Sequence, residues 1–410
     1  RMTRIYRIIL LQCTFMLYST CFSMVFDNRF IPLQIRPWIA PDNGRSHLLT
    51  NFFALTCSRA FNKYAENVPL PDIFGNYDLG ALEKASLMLG HKSPIKTEWQ
   101  GERIGWALDG KFQGQGIEID YQQAFGKYFS IGASVMALRI HSWNDFFLKS
   151  GSEHVSLQLT PDDILELDEM RRTMHETLGI VSDHSYQRGF GDVDLYFRLG
   201  NYWEYTHKFR SIQAGLRLGF MIPSAQRNDV RYPSWIPFGG NKHWGLYAAV
   251  DAIFELRQDI KCGVYARVSK RMSKISCQRV PLACEPDNFG ALVTDVNVDP
   301  GATYVCSPFV AFERLRDGLG MRVVYTLTKH EADWWGVVRS PCTVNNAQCH
   351  RTGWGSDYFT ANVFYDFGES RPDWKIYPIL TFSFDIPASV FVAETVAKTN
   401  RISLGVEVAF

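Results

Sequence analysis

Between residues 48 and 410 one pattern keeps returning: stretches of about ten residues in which apolar and polar side chains alternate strictly. The stretch "SIQAGLRLGFMI" puts Ile212, Ala214, Leu216, Leu218, Phe220 and Ile222 on one face, and Ser211, Gln213, Gly215, Arg217 and Gly219 on the other. "WGLYAAVDAIFEL" and "IKCGVYARVSKR" do the same back to back, and "YFTANVFYDF", "KIYPILTFSFDI" and the terminal "RISLGVEVAF" follow. Period two belongs to a strand whose two faces meet different surroundings. After Met24 no apolar run approaches the ~20 residues that a spanning helix needs. The chain is therefore expected to be all-β.

The spacing of these strands says more. Short connections fall near Phe125-Gly126-Lys127, Asn201 to Lys208, Arg257-Gln258-Asp259, Arg316-Asp317-Gly318 and Ser370 to Asp373. Long ones run over 62–100, 144–187, 223–242, 273–300, 333–355 and 387–398. Short turns at one end and long loops at the other are the layout of a transmembrane antiparallel up-and-down β-barrel, with turns in the periplasm and loops outside the cell. Five short-turn hairpins, an opening strand near 48–61 and a closing strand over 399–410 predict twelve strands. Fourteen is the alternative if 26–39 and 100–113 add two more. A soluble sandwich or propeller would lack this asymmetry of loop length, and no 40–50-residue repeat is present.

The N-terminus fits export. Arg1, Arg4 and Arg7 precede the apolar run Ile8 to Tyr18, and small residues follow at Ser19, Thr20 and Ser23, which predicts a signal peptide over 1–23. Cys21 invites a lipoprotein reading, but Tyr18-Ser19-Thr20 makes a poor lipobox. Residues 24–47 are expected to form a periplasmic or plug-like segment, and 48–410 the barrel. Export places the cysteines in an oxidising compartment, so the equally spaced pairs Cys277/Cys284 and Cys342/Cys349 predict two loop disulfides. Zinc bound at Cys349 and His350 is the competing reading; no paired CxxC supports it.

With the apolar face toward lipid, the opposite face lines the lumen. It would carry Asp192, Asp194, Arg198, Arg217, Asp251, Glu255, Arg257, Lys261, Arg267, Arg322, Asp385 and Glu407. Such charges set ion preference in a water-filled bore, or pair as internal struts in a filled one. Mixed signs argue against strong selectivity. In the long loops, Thr160 followed by Pro161 predicts a helix start. Ile164, Leu167, Met170, Met174 and Leu178 give that helix an apolar face, and Leu79 to Leu89 predicts a second one. These helices either lid the barrel or form an apolar groove. Trp235, Trp244, Trp334, Trp335 and Trp354 read as an interfacial belt.

Among enzyme signatures there is no G-x-S-x-G, paired-carboxylate or metal-ligand motif, so no enzyme, metal or cofactor is expected. The formal net charge of +1 gives no footprint for nucleic acid.

The terminal "SLGVEVAF" resembles the assembly signal of Gram-negative outer-membrane proteins, with Ser403, Gly405, Val408 and Phe410 in its positions; Val408 departs from the usual aromatic. The resemblance implies delivery by periplasmic chaperones to the barrel-assembly machinery of the cell outer membrane, among lipid and lipopolysaccharide. "RGFGDVDLYFRLGN" (Arg188 to Asn201) is similar to stretches of FadL-like hydrophobic-compound transporters. A channel for passive uptake of small solutes, hydrophobic compounds among them, is the expectation. A structural or surface-interaction barrel, of adhesin or receptor type and without transport, is its rival.

Overall fold

The computed structural model describes residues 46–148, 159–205, 209–282, 285, 288–337, 352–370 and 377–410. Twelve strands pair antiparallel: β1 (Ser46–Cys57), β2 (Gly105–Phe125), β3 (Phe129–Leu148), β4 (Val193–Glu204), β5 (Ser211–Ile222), β6 (Gly245–Arg257), β7 (Ile260–Arg271), β8 (Thr303–Arg316), β9 (Leu319–His330), β10 (Trp354–Asp366), β11 (Tyr377–Ala388) and β12 (Asn400–Ala409). Each pairs with its chain neighbours, and β1 pairs with both β2 and β12, so the sheet closes without an edge. Closure matters because an unpaired strand edge has no hydrogen-bond partner in hydrocarbon. The count is twelve: residues 105–113 are the first part of the 21-residue strand β2, not a strand of their own.

The connection lengths are as the sequence spacing predicts. Turns join β2 to β3, β6 to β7 and β8 to β9, and the two barrel termini lie at the same end, where the Ser46 and Phe410 backbones bond each other in both directions. The opposite end carries every long connection. There β2 and β3 stay paired out to Trp106 and Leu148, well past their neighbours, and support a cap. The cap holds α1 (Leu79–Met88), α2 (Pro161–Thr177) and a small sheet of Lys274–Val280, Leu292–Asp299 and Trp334–Val337. Thr160 caps α2: its hydroxyl accepts from the Asp163 N–H, and the Asp163 carboxylate accepts from the Thr160 N–H at 2.7 Å. Leu82, Leu167, Met174, Phe289 and Val296 meet in one buried cluster, so both helices lid the barrel.

Burial confirms the two faces. Phe220, Leu246, Val250, Phe382, Ile402 and Leu404 are exposed on the outside, while Asp120, Arg198, Asp251 and Arg401 are buried within. Apolar outside and charged inside inverts a soluble protein and suits a barrel in lipid. The tryptophans divide: Trp244 and Trp334 are exposed, but Trp354 is 1% exposed and stacks on His330, so it belongs to the interior and not to a belt.

No disulfide links the described residues. Cys262, Cys277 and Cys306 carry free thiols, the Cys57 thiol donates to the Arg59 carbonyl at 3.0 Å, and Cys277 stands in a strand, where the sequence predicts a loop. Cys284, Cys342, Cys349 and His350 lie outside the described residues, as do the expected signal peptide and all of 24–47 before Ser46.

Candidate functional site in the barrel interior

The interior wall has two chemistries. On β4 to β7 charged residues and tyrosines stand at inward positions, among glycines and a few apolar side chains such as Met221, Ala249 and Ile253. Arg198 pairs with Asp251, which also lies 3.5 Å from the Arg217 Nε, and Arg267 reaches Asp194 at 3.7 Å. The Arg217 guanidinium sits 5.7 Å from both the Tyr196 and Tyr265 rings, and that of Arg267 lies 3.9 Å over Tyr247. On the far wall Arg401 pairs with Asp385, which accepts from the Thr360 hydroxyl at 2.6 Å, and Arg322 lies between the Phe309 and Phe364 rings. Near the turns Lys261 pairs with Glu313, Glu255 with Arg210, and Glu407 with His47, at 2.6, 3.3 and 2.6 Å. In a medium of low dielectric a charge without a partner is costly, so such pairing is required of a packed interior.

Large rings fit inside because glycines make room. Phe53, Tyr196, Tyr247, Phe309 and Phe364 each face a glycine on the next strand, at Gly116, Gly132, Gly219, Gly263 and Gly320. A Cβ at Gly132 or Gly219 would fall 2.3 Å from a tyrosine ring atom. Each ring therefore occupies the space over its glycine on the next strand.

On β1 to β3 the turn half is polar, with Asn51, Glu118, Asp120, Gln122 and Ser130 buried, but the loop half is apolar. Phe53, Leu55, Phe112, Leu138 and Ile140 form a cluster that takes in Ile236 and Phe238. Those two belong to the β5–β6 connection, residues 223–244, which folds into the bore. It is tied down strand by strand. Ser142 and Ser185 donate to the Ser234 carbonyl at 2.6 and 3.2 Å, and the Gln187 amide exchanges two hydrogen bonds with the Ile236 backbone. Asp192 accepts from the Ala225 and Gly240 N–H groups at 3.2 and 2.7 Å and pairs with Arg271 at 2.8 Å. From the cap, Arg279 donates to the Val230 carbonyl at 2.9 Å. Between this segment, the wall and the cap lies a cavity of about 110 Å³ lined by Phe112, Asn144, Tyr232, Trp235, Gln278 and Trp335 among others.

Asp194, Arg198, Arg217, Asp251, Arg267, Arg322, Asp385 and Glu407 stand at inward positions of their strands. Asp192 precedes β4 and anchors the inward segment, and Arg257 is exposed at the β6–β7 turn, beyond a register shift at Glu255. The sequence reading missed His47, the tyrosines as ring supports, and the inward course of 223–244. The Gly–aromatic partnership was visible only once register was known; the Pro-rich "RYPSWIPFGG" was a usable signal for an ordered loop.

A closed twelve-strand barrel with a lipid-compatible exterior, paired interior charges and one inward loop is an integral outer-membrane β-barrel. No family model and no curated protein matches the chain. Among solved structures it is similar to the COG4313 outer membrane channel from Pseudomonas putida F1, at 9% identity over 92% of this chain and 100% of that one, TM-score 0.49. It is also similar to a Pseudomonas aeruginosa FadL homologue (10%, 89% and 90%, TM-score 0.33) and to the translocator domain of autotransporter NalP from Neisseria meningitidis (8%, 90% and 88%, TM-score 0.35). The assignment rests on the barrel's own strand register.

Proposed function

We propose that the barrel is a passive channel for small solutes, hydrophobic compounds included, narrowed by residues 223–244. The observation that carries this is the inward segment: it occupies the loop half of the bore against an apolar wall and leaves an aromatic-lined cavity beside it. A cavity near 110 Å³ is of the order of the ~150 Å³ that accommodates benzene, so the space beside the segment is of the size of a single small ring. The residues lining the path would be Asp194, Arg198, Arg217, Asp251, Arg267, Arg322 and Asp385 below the segment.

Planar-bilayer recording tests this. The expected result is small or unresolved steps for the native protein and much larger ones when 229–238 is replaced by a short Gly/Ser linker. Liposome uptake of small aromatic solutes should occur in both. Large steady steps from the native protein would sink the hydrophobic route. A second reading has its own support: interior charges paired with one another and a packed cap suit a structural barrel without transport. It predicts no solute flux from either form.

The closing strand supports a role in assembly. We propose further that Ser403, Gly405, Val408 and Phe410 act as a signal for the barrel-assembly machinery; Ser403 is buried on the inner face and Phe410 is 53% exposed. Removing Phe410 is expected to lower the heat-modifiable, folded fraction in membranes.

A further inference from the structure

One carboxylate lies on the wrong face of the barrel. Asp357 of β10 alternates with the exposed Phe359 on the outer side, yet it is 1% exposed. The chain leaving β11 covers it. Three consecutive amides, of Val390, Phe391 and Val392, donate to this one carboxylate at 2.9, 2.7 and 3.1 Å, and the Tyr325 hydroxyl donates at 3.1 Å. The chain then rejoins the wall where Glu394 and Gly355 exchange backbone bonds, and Lys329 pairs with Glu394. The result is a short lateral bulge whose tip, Val390 and Phe391, is among the most exposed apolar surface of the protein, at 54% and 74%.

Its surroundings indicate the occupant. The Phe391 ring lies 6.0 Å from Tyr325, whose ring lies 4.6 Å from Phe359, so the tip continues the lipid-facing wall that Phe359, Phe382 and Ile386 form. A backbone can enter hydrocarbon only with its polar groups bonded, and the Asp357 carboxylate gathers the three tip amides that a protruding loop would otherwise leave open. The Lys329–Glu394 pair sits at the base, as charges do at an interface. We propose that this bulge is a lipid anchor: Val390 and Phe391 insert among the acyl chains of the surrounding outer leaflet, and Asp357 holds them in that pose as a positioning residue.

The test is photo-crosslinking in the full chain, with p-benzoylphenylalanine in place of Phe391, in outer-membrane vesicles. Positions 382, on the lipid-facing wall, and 64, on the exposed turn between Arg59–Phe61 and Asn67–Pro69, serve as references. The expected result is lipid adducts at 391 matching those at 382, with none at 64. Adducts to protein at 391, or a lipid yield as low as at 64, would overturn the proposal. Asp357→Asn should remove most of the lipid adduct at 391 and leave that at 382 unchanged, with heat-modifiable migration reporting an intact barrel. An unchanged yield at 391 in that variant would overturn the role of Asp357. Should Asp357→Asn not assemble, the 391, 382 and 64 yields in the native background decide the anchor alone.

Discussion

The chain contains two buried regions of opposite chemistry. Inside the barrel, Arg198, Asp251, Asp385 and Arg401 are almost fully buried and matched in pairs. In the cap, a few residues further along the same β2 and β3 strands, Leu82, Leu167, Met174, Phe289 and Val296 pack as in a soluble domain. The difference follows from what lies outside each wall. Lipid takes the apolar side chains of the barrel, so the polar ones turn inward and must satisfy each other; water surrounds the cap, so its apolar side chains turn inward and must fill space. The inward segment bridges the two regimes: Asp192 and Gln187 tie its backbone, while Ile236 and Phe238 bury apolar surface.

The most severe break should come in the barrel. Asp251→Ala would remove the carboxylate that Arg198 and Arg217 share, and breaking a buried pair costs about 3–5 kcal/mol. Urea unfolding in lipid vesicles, read by heat-modifiable migration, should show the whole barrel destabilised; an unchanged midpoint would mean the pair is solvated and the bore wide. Leu82→Ala in the cap should cost about 3 kcal/mol through the space it empties. Its signature should be different: faster proteolysis within residues 79–104, with the barrel midpoint unmoved.

Acid should discriminate the two regions as well. His175 of α2 is 2% exposed, with its Nε2 2.5 Å from the Tyr77 hydroxyl and its Nδ1 2.9 Å from the Ser182 hydroxyl. Burial, helped by Arg171 and Arg279, holds it down to about 3 from the ordinary 6.5. The folded cap thus binds fewer protons than the unfolded one. The stability that a neutral His175 contributes is complete above pH 6.5 and is lost as the pH falls toward 3. Hydrogen exchange across α1 and α2 should accelerate over that window, and His175→Gln should flatten the response.

How far the sequence could be read follows the same division. Barrel strands carry a local signal, because each side chain's fate is decided by parity, and the tally of turns against loops then gave twelve strands and the inward face of Arg217, Asp251 and Lys261. The cap gave up only its helices. Its core joins Leu82, Met174 and Val296 across more than two hundred residues, and no local period encodes such contacts. The same holds for the inward segment: Asp192 looked like one more lumen charge, although its partners lie at Ala225, Gly240 and Arg271. Arg257 went wrong for a smaller reason, since one register shift changes the face of every residue past it.

The gentlest test separates local from distant stabilisation within the cap itself. Thr160 and Asp163 close a reciprocal capping box at the start of α2, with Thr160 exposed and Asp163 half-buried. Thr160→Ala removes the acceptor for the Asp163 amide and should cost about 1 kcal/mol, the usual loss for such a cap. Because α2 is held through Leu167, Met170 and Met174 in the shared cluster, that loss should appear as fraying of the first turn alone. Hydrogen exchange at 162–165 should rise while Met170 to Met174 stay protected. Faster exchange throughout α2 would mean that the helix depends on its cap and not on the packed lid, and the contrast between the two buried regions would then be weaker than the burial of these side chains indicates.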